Sequence, residues 1–163
     1  MKVFLVRHGD ADADIPEGLG DEARALTTKA RQNILSHFEG LAGHLAGANL
    51  VLTSPLVRTV QTAQILASAL KLEVPMRVHR SLLPDMPVGS IESLLSQHPG
   101  ELLILVGHQP SMGAMAAHLL GLQSFPKPVN PGTVIGLDRS EEPGTTAKLL
   151  IYAAPGHPVV DTL

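Results

Sequence analysis

Two arginines and two histidines each stand close behind a short run of apolar residues in this 163-residue chain. They are Arg7 and His8 behind residues 3–6, Arg58 behind residues 50–52, and His108 behind residues 102–106. Short apolar runs are typical of buried strands, so all four side chains are expected at strand ends. In open α/β sheets, ligands bind in the crevice outside the carboxyl ends of the strands. The spacing therefore predicts that these residues converge on one anion.

The chemistry that suits this set is phosphoryl transfer. That reaction needs a positioned nucleophile and donors that hold the non-bridging oxygens of the phosphoryl group. His8 is the candidate nucleophile, because a neutral imidazole attacks phosphorus at physiological pH and its phosphorylated form is hydrolysed in a second step. Arg7, Arg58 and His108 are the candidate donors. We expect one ring nitrogen of His8 to be held by a backbone carbonyl in the Gly9 turn, which leaves the other nitrogen free.

Each of these residues also has a purely structural interpretation. A strand-end histidine is often a satisfied polar group, and Arg7 alone is typical of a surface cation. Arg58 suits a salt bridge on a helix face, and His108 suits a cap of the next helix. Their shared place at strand ends favours the joint functional interpretation.

Composition limits the class of partner. The net charge is -3 and there is no Trp, one Tyr and three Phe, so neither nucleic acid nor a membrane surface is an expected partner. Without cysteine, disulfides, thiolate metal sites and a Cys nucleophile are excluded. A strand that begins at Lys2 leaves no room for a signal peptide, and no apolar run approaches the 18 or so residues of a membrane span. We expect a cytoplasmic protein.

The elements that must position the site alternate between strand and helix. Strands are predicted at residues 3–6, 49–53, 76–79, 102–106, 133–138 and 148–153, and helices at residues 28–45, 55–70, 90–97 and 110–120. Residues 133–153 read as an antiparallel pair joined by a turn that contains Pro143-Gly144. The fold class is therefore α/β: a three-layer α/β/α sandwich with a mostly parallel central sheet and an antiparallel C-terminal pair. With no repeat and no linker, residues 1–163 are expected to form a single domain.

Three blocks of sequence resemble one known family. The blocks are Arg7-His8-Gly9, Ser54-Pro55-Leu56-Val57-Arg58-Thr59-Val60-Gln61-Thr62-Ala63 and Val106-Gly107-His108-Gln109-Pro110. Together they resemble the signature blocks of the histidine phosphatase superfamily, which has a phosphoglycerate mutase-like fold. The short chain, the opening residues 3–11 and the segment at residues 24–28 are similar to the SixA-type phosphohistidine phosphatases. The resemblance runs from the N-terminus to about residue 155.

The resemblance implies roles for individual residues. His8 is the residue phosphorylated in the reaction, and Arg7, Arg58 and His108, with the Gly9 turn, form the phosphate pocket. Arg24 is placed near the pocket entrance, in contact with phosphate or substrate, although an arginine before a helix is also a common solvated residue. No metal or other cofactor is implied.

The general acid departs from the family pattern. Many members use a carboxylate, typically Glu after the third strand, to protonate the leaving oxygen, and here that stretch holds only Asp85. An aspartate beside proline is common in turns for backbone reasons, so Asp85 is a candidate acid with a structural alternative. His108 is the other candidate donor. The lack of a well-placed acid suits a phosphohistidine substrate, because imidazole is a better leaving group than an alkoxide.

Three functions remain open on the sequence. The first is a phosphatase that removes phosphate from phosphohistidine of a signalling protein, such as a histidine phosphotransfer protein. The second is a phosphomonoesterase of the same superfamily acting on a small phosphorylated metabolite. The third is a noncatalytic phosphate-binding adaptor. Short connections between strands predict an open site, which favours a protein substrate.

Overall fold

A single mixed sheet of six strands forms the centre of the computed structural model, which describes residues 1–142 and 144–163. The strands are β1 (Lys2–Arg7), β2 (Leu50–Thr53), β3 (Met76–Val78), β4 (Leu102–Gly107), β5 (Val134–Asp138) and β6 (Lys148–Ala153). Their order is β3-β2-β4-β1-β5-β6. The first four run parallel, and β5 is antiparallel to both β1 and β6. The carboxyl ends of β1, β2 and β4 therefore share one edge.

Among the described residues, five α-helices cover the two faces of this sheet. They are α1 (Thr28–Glu39), α2 (Ala42–Leu45), α3 (Val57–Leu70), α4 (Val88–Ser96) and α5 (Ser111–Leu120). One apolar cluster contains buried residues of α4 and α5, and a second contains those of α1, α2 and α3. The predicted three-layer α/β/α sandwich is confirmed.

The apolar runs of the central strands follow from burial on both faces. In β1, Val3 and Leu5 belong to the cluster under α4 and α5, whereas Phe4 and Val6 belong to the cluster under α1 and α3. Side chains alternate between faces along a strand, so a strand covered on both sides must be apolar at every position. β4 follows the same rule and lies beside β1. This packing fixes where the two strands end, and it thereby fixes the positions of Arg7 and His108.

Most predicted boundaries lie within two residues of the observed ones, and the larger differences concern helices. The helix expected at residues 28–45 is divided, because α1 ends at Glu39 and α2 follows after a break at Gly40. The helix expected from residue 90 begins at Val88. The N-cap of α1 is Thr27, whose side chain accepts a hydrogen bond from the Ala30 N–H.

The C-terminal pair forms as predicted, with β5 and β6 antiparallel and a register shift near Gly136. The predicted Pro143-Gly144 turn involves Pro143, which lies outside the described residues. In the part of the chain that the structure describes, no helix has both the length and the apolar character needed to cross a membrane.

Candidate active site

A cavity of about 230 Å³ lies at the carboxyl edge of the parallel strands. All five basic residues singled out from the sequence line it: Arg7, His8, Arg24, Arg58 and His108. The structure therefore brings these residues together around one small cavity, as the sequence predicts.

The register of β1 and β4 brings the two histidines together. Arg7 pairs with Gly107, and the His8 N–H donates to the Gly107 carbonyl at 3.1 Å. His8 and His108 are thus the first residues beyond two neighbouring strands. Their rings stand edge to face, with centroids 5.2 Å apart and planes at 62°.

Hydrogen bonds connect the turn at Gly9, which follows β1, to α3, the helix that carries Arg58. The Gly9 N–H donates to Thr62 Oγ1 at 3.1 Å, and that hydroxyl donates to the Arg58 carbonyl at 2.8 Å. A Cβ at Gly9 would lie 3.3 Å from side-chain atoms of Ile34 and Leu26, closer than an ordinary contact. Glycine at this position lets the backbone turn tightly against the core.

His8 is held as a neutral imidazole with a defined free nitrogen. Its Nδ1 lies 2.6 Å from the Gly9 carbonyl oxygen, which can only accept, so Nδ1 carries the proton and Nε2 has a lone pair. Burial lowers the pKa of His8 to about 4; the hydrogen bond to Gly9 opposes this shift, and the charges of Arg58, Arg7 and Arg24 add to it. The ring is uncharged at neutral pH and suited to nucleophilic attack.

Arg7, at the end of β1, and Arg58, in the first turn of α3, keep N–H donors that the protein does not use. Arg7 donates through Nη1 to the Val129 carbonyl at 2.8 Å. Arg58 is only 6% exposed and donates through Nη1 and Nη2 to the carbonyl and carboxylate of Asp21, both at 3.1 Å. The Nε atoms of Arg7 and Arg58 are buried and have no partner among the described residues. A half-buried and a buried guanidinium group that line the same cavity form a site for an anion.

Asp21 links two of the arginines that line the cavity, Arg24 and Arg58. It lies in a single 3₁₀ turn at Asp21–Ala23, and its carboxylate accepts from Arg24 Nε at 2.7 Å as well as from Arg58. These hydrogen bonds, that of Arg24 foremost, hold the pKa of Asp21 below its usual value. Arg24 also donates to the Asp12 carbonyl at 3.1 Å. Sequence reasoning missed Asp21, for which the only signal was an acid three residues before Arg24.

His108 lies deeper than His8 and contacts a buried serine. It is 3% exposed, and its Nε2 lies 2.8 Å from Oγ of Ser54, which is fully buried. Burial, with smaller contributions from the neighbouring His8 and Arg58, lowers the pKa of His108 to about 3. Sequence reasoning placed Ser54 in a signature block but gave it no role.

The candidate acid Asp85 stands apart from this cluster. It is exposed, in a turn where its φ of 64° is left-handed, a conformation that aspartate tolerates better than most residues. Its neighbour Pro84 lines the cavity, whereas Asp85 is not part of the lining. The acidic residue that lines the cavity is Asp10. In the described part of the chain, no three His, Asp or Glu side chains are grouped to hold a metal ion.

Comparison with known proteins gives a consistent result. A model of the histidine phosphatase superfamily (branch 1) matches residues 3–83. The chain is 37% identical over 122 residues to an uncharacterized protein of Picosynechococcus sp., covering 71% of each chain. It is 30% identical over 122 residues to the phosphohistidine phosphatase SixA of Escherichia coli K12, covering 73% of this chain and 74% of that one.

Two solved structures extend the comparison to the fold. The protein histidine phosphatase SixA complexed with tungstate has a TM-score of 0.82 at 25% identity, covering 95% of this chain and 97% of that one. A mycobacterial glucosyl-3-phosphoglycerate phosphatase has a TM-score of 0.66 at 17% identity, covering 94% and 99%, a likeness that concerns the fold alone. The three sequence blocks, the sheet and the relatives point to the same family.

Proposed function

This chain belongs to the histidine phosphatase superfamily and is of its SixA type, and we propose that this phosphatase acts on phosphohistidine carried by a protein, such as a histidine phosphotransfer protein of a signalling relay. The observation that carries the proposal is the free Nε2 of a neutral His8 among three guanidinium groups. A nucleophile and anion donors in one small cavity suit phosphoryl transfer.

The proposed reaction has two displacement steps at His8. In the first, His8 Nε2 forms a bond to phosphorus while the bond between phosphorus and the substrate imidazole breaks, and that imidazole, already protonated on its other ring nitrogen, leaves as the neutral ring with the electron pair. Arg7 and Arg58 hold the non-bridging oxygens, with Arg24 at the entrance. In the second, water attacks the phosphorylated His8, the electron pair returns to Nε2, and inorganic phosphate and a proton are released.

A phosphohistidine substrate suits a site that has no well-placed general acid. Transfer between two imidazoles is close to isoenergetic, and an imidazole leaves far more readily than an alkoxide. Neither an exposed Asp85 nor an ion-paired Asp21 is then required as a proton donor. His108 supplies the proton donation that the reaction still needs.

The size of the cavity supports a substrate that stays mostly outside it. Cavities that bury small-molecule ligands usually measure roughly 300–1,000 Å³. Here about 230 Å³ is available, which suits a phosphoryl group and part of the ring that bears it. The rest of a macromolecular substrate would contact the rim.

A phosphomonoesterase for a small metabolite is the second candidate, and one observation favours it. Asp10 lines the cavity, so a carboxyl group is available there that, in its protonated form, would donate a proton to a leaving alkoxide. A noncatalytic adaptor is the third candidate. The neutral, correctly oriented His8 counts against it, because binding alone does not need a free Nε2.

The test compares kcat/KM for three substrates with one enzyme preparation. A phosphohistidine-bearing phosphotransfer domain, phosphoimidazole and p-nitrophenyl phosphate separate the protein contribution from that of the bond broken, with His8→Ala as the control for contaminating activity. We expect the domain to be preferred over phosphoimidazole, and both over the ester. Preference for the ester would assign the enzyme to small metabolites, and absence of His8-dependent turnover would favour the adaptor.

A further inference from the structure

Ser54 and His108 form a buried polar pair at the floor of the cavity. Ser54 is fully buried, His108 is 3% exposed, and Ser54 Oγ lies 2.8 Å from His108 Nε2. Because Ser54 Oγ and His108 Nε2 are buried, neither atom can replace their hydrogen bond with one to water. The proton between them must therefore belong to one particular partner.

The remaining contacts of Ser54 identify that partner. Its Oγ accepts a long hydrogen bond of 3.4 Å from the Leu56 N–H, and a backbone N–H supplies no acceptor for the serine proton. His108 Nε2 is the one acceptor in contact with the hydroxyl among the described residues. The Ser54 O–H therefore donates to His108 Nε2, since the opposite arrangement would leave a buried hydroxyl proton without an acceptor.

A neutral imidazole that accepts at Nε2 has its only proton on Nδ1. His108 lines the cavity with its Nε2 turned toward Ser54, and its Nδ1 makes no hydrogen bond to a described residue. We propose that Ser54 is a positioning residue that fixes the Nδ1–H tautomer of His108, so that an uncharged His108 donates a hydrogen bond to an oxygen of the bound phosphoryl group. The role of that hydrogen bond in turnover rests on the proposed function.

The backbone around Ser54 is held firmly enough for this role. Its N–H donates to the Val106 carbonyl at 3.0 Å, next to the point where β2 pairs with β4. Its carbonyl accepts from Thr53 Oγ1 at 3.0 Å and from Thr59 Oγ1 at 2.9 Å. The serine is thereby fixed to the strand that leads to His108, and its hydroxyl has little freedom to turn away.

The two histidines then share a tautomer and have opposite functions. Both carry the proton on Nδ1, but His8 directs it to the Gly9 carbonyl and presents a lone pair, whereas His108 directs its lone pair to Ser54 and presents an N–H. A donor that stays uncharged adds no positive charge beside His8 and so leaves its Nε2 nucleophilic. Without Ser54, the ring of His108 would be free to present a lone pair to the anion and repel it.

The direct test is the ring protonation of His108, which needs no substrate. Nitrogen-15 NMR of wild-type protein with orthovanadate as the phosphate mimic should show a protonated Nδ1 and a bare Nε2. Ser54→Ala should shift His108 toward the Nε2–H tautomer. A wild-type ring with its proton on Nε2 would overturn the inference, whatever the physiological substrate.

The second readout uses a matched variant that removes a neighbouring buried hydroxyl. Thr53 is 1% exposed and contacts the Ser54 carbonyl, so Thr53→Val loosens the same strand end without a direct contact to His108. Ser54→Ala should weaken orthovanadate binding and lower kcat/KM for phosphoimidazole by roughly tenfold or more, while Thr53→Val stays within about threefold of wild type. Equal effects of the two variants, with an unchanged His108 tautomer, would reduce Ser54 to a structural residue. Absence of turnover in wild type would refute the proposed function but leave the NMR result to decide this one.

Discussion

Each of the two edges of the sheet has a cavity and charged groups, but the burial and the pairing of the side chains differ between the edges. At the amino edge of β1, a cavity of about 440 Å³ is lined by Met1 and Arg139 among others. Arg139 pairs with Glu92, whose carboxylate also contacts His118. These charges are partly exposed and paired with one another, which is the arrangement of ordinary surface ion pairs.

At the carboxyl edge the cavity is only about half as large, yet its polar side chains are far more buried. Arg58 is 6% exposed and His108 is 3% exposed, and the Nε atoms of Arg7 and Arg58 have no partner among the described residues. Burial with unused donors costs folding free energy, which a structure bears where function requires it. Buried basic side chains that line the cavity, rather than cavity size, therefore distinguish the carboxyl edge from the amino edge.

The largest predicted effect on kcat distinguishes His8, at the carboxyl edge, from His118, at the amino edge. His8→Ala should lower kcat by roughly 10⁴-fold or more, because it removes the group to which phosphoryl is transferred. His118→Ala, at the opposite edge, should leave kcat within about twofold. Rapid-quench trapping of acid-labile, alkali-stable phosphoprotein should detect label in wild type and His118→Ala alone. Label retained in His8→Ala would mean that another residue is the nucleophile.

The next effect compares an arginine of each edge. Arg58→Ala should reduce kcat/KM by about 10²–10³-fold, because it removes buried donors to the transferring group. Arg58→Lys should recover only part, since an ammonium lacks the planar fork of donors. Arg139→Ala should leave kcat/KM within about twofold and cost less than about 1 kcal/mol of stability. Similar losses for Arg58→Ala and Arg139→Ala would contradict the distinction between the two edges.

The buried histidines also predict how stability changes with pH. The folded pKa of His8, about 4, lies below the unfolded value of 6.5, so the unfolded state binds more protons between these limits. Unfolding free energy should therefore fall as pH falls from 6.5 toward 4, with His8 contributing at most about 1.4 kcal/mol per pH unit. Urea titrations of wild type and His8→Ala across this range measure the difference. Parallel curves would show that His8 is not held neutral by the fold.

Much of this architecture follows from local sequence. The runs at β1 and β4 are apolar at every position, which predicts a sheet covered on both faces, and chemistry-bearing residues directly behind them predict its functional edge. The partner of His8 was also predictable, because Gly9 is its chain neighbour. The partners of the other side chains were not. Ser54 meets His108 across 54 positions and Asp21 meets Arg58 across 37, and such contacts depend on strand order and register.

Asp85 gives the smallest predicted effect and tests whether closeness to the cavity is enough for function. It follows Pro84 in the cavity wall, yet it is exposed in a left-handed turn. Asp85→Asn should leave kcat/KM within about twofold for phosphoimidazole and for p-nitrophenyl phosphate, because the amide keeps the turn conformation and no proton is lost from the reaction. Asp10→Asn is the matched change of a carboxylate that does line the cavity. If Asp85→Asn lowered turnover of the ester by tenfold or more and spared phosphoimidazole, Asp85 would be the acid for oxygen leaving groups. An exposed rim residue would then contribute to catalysis without the burial that marks the rest of the site.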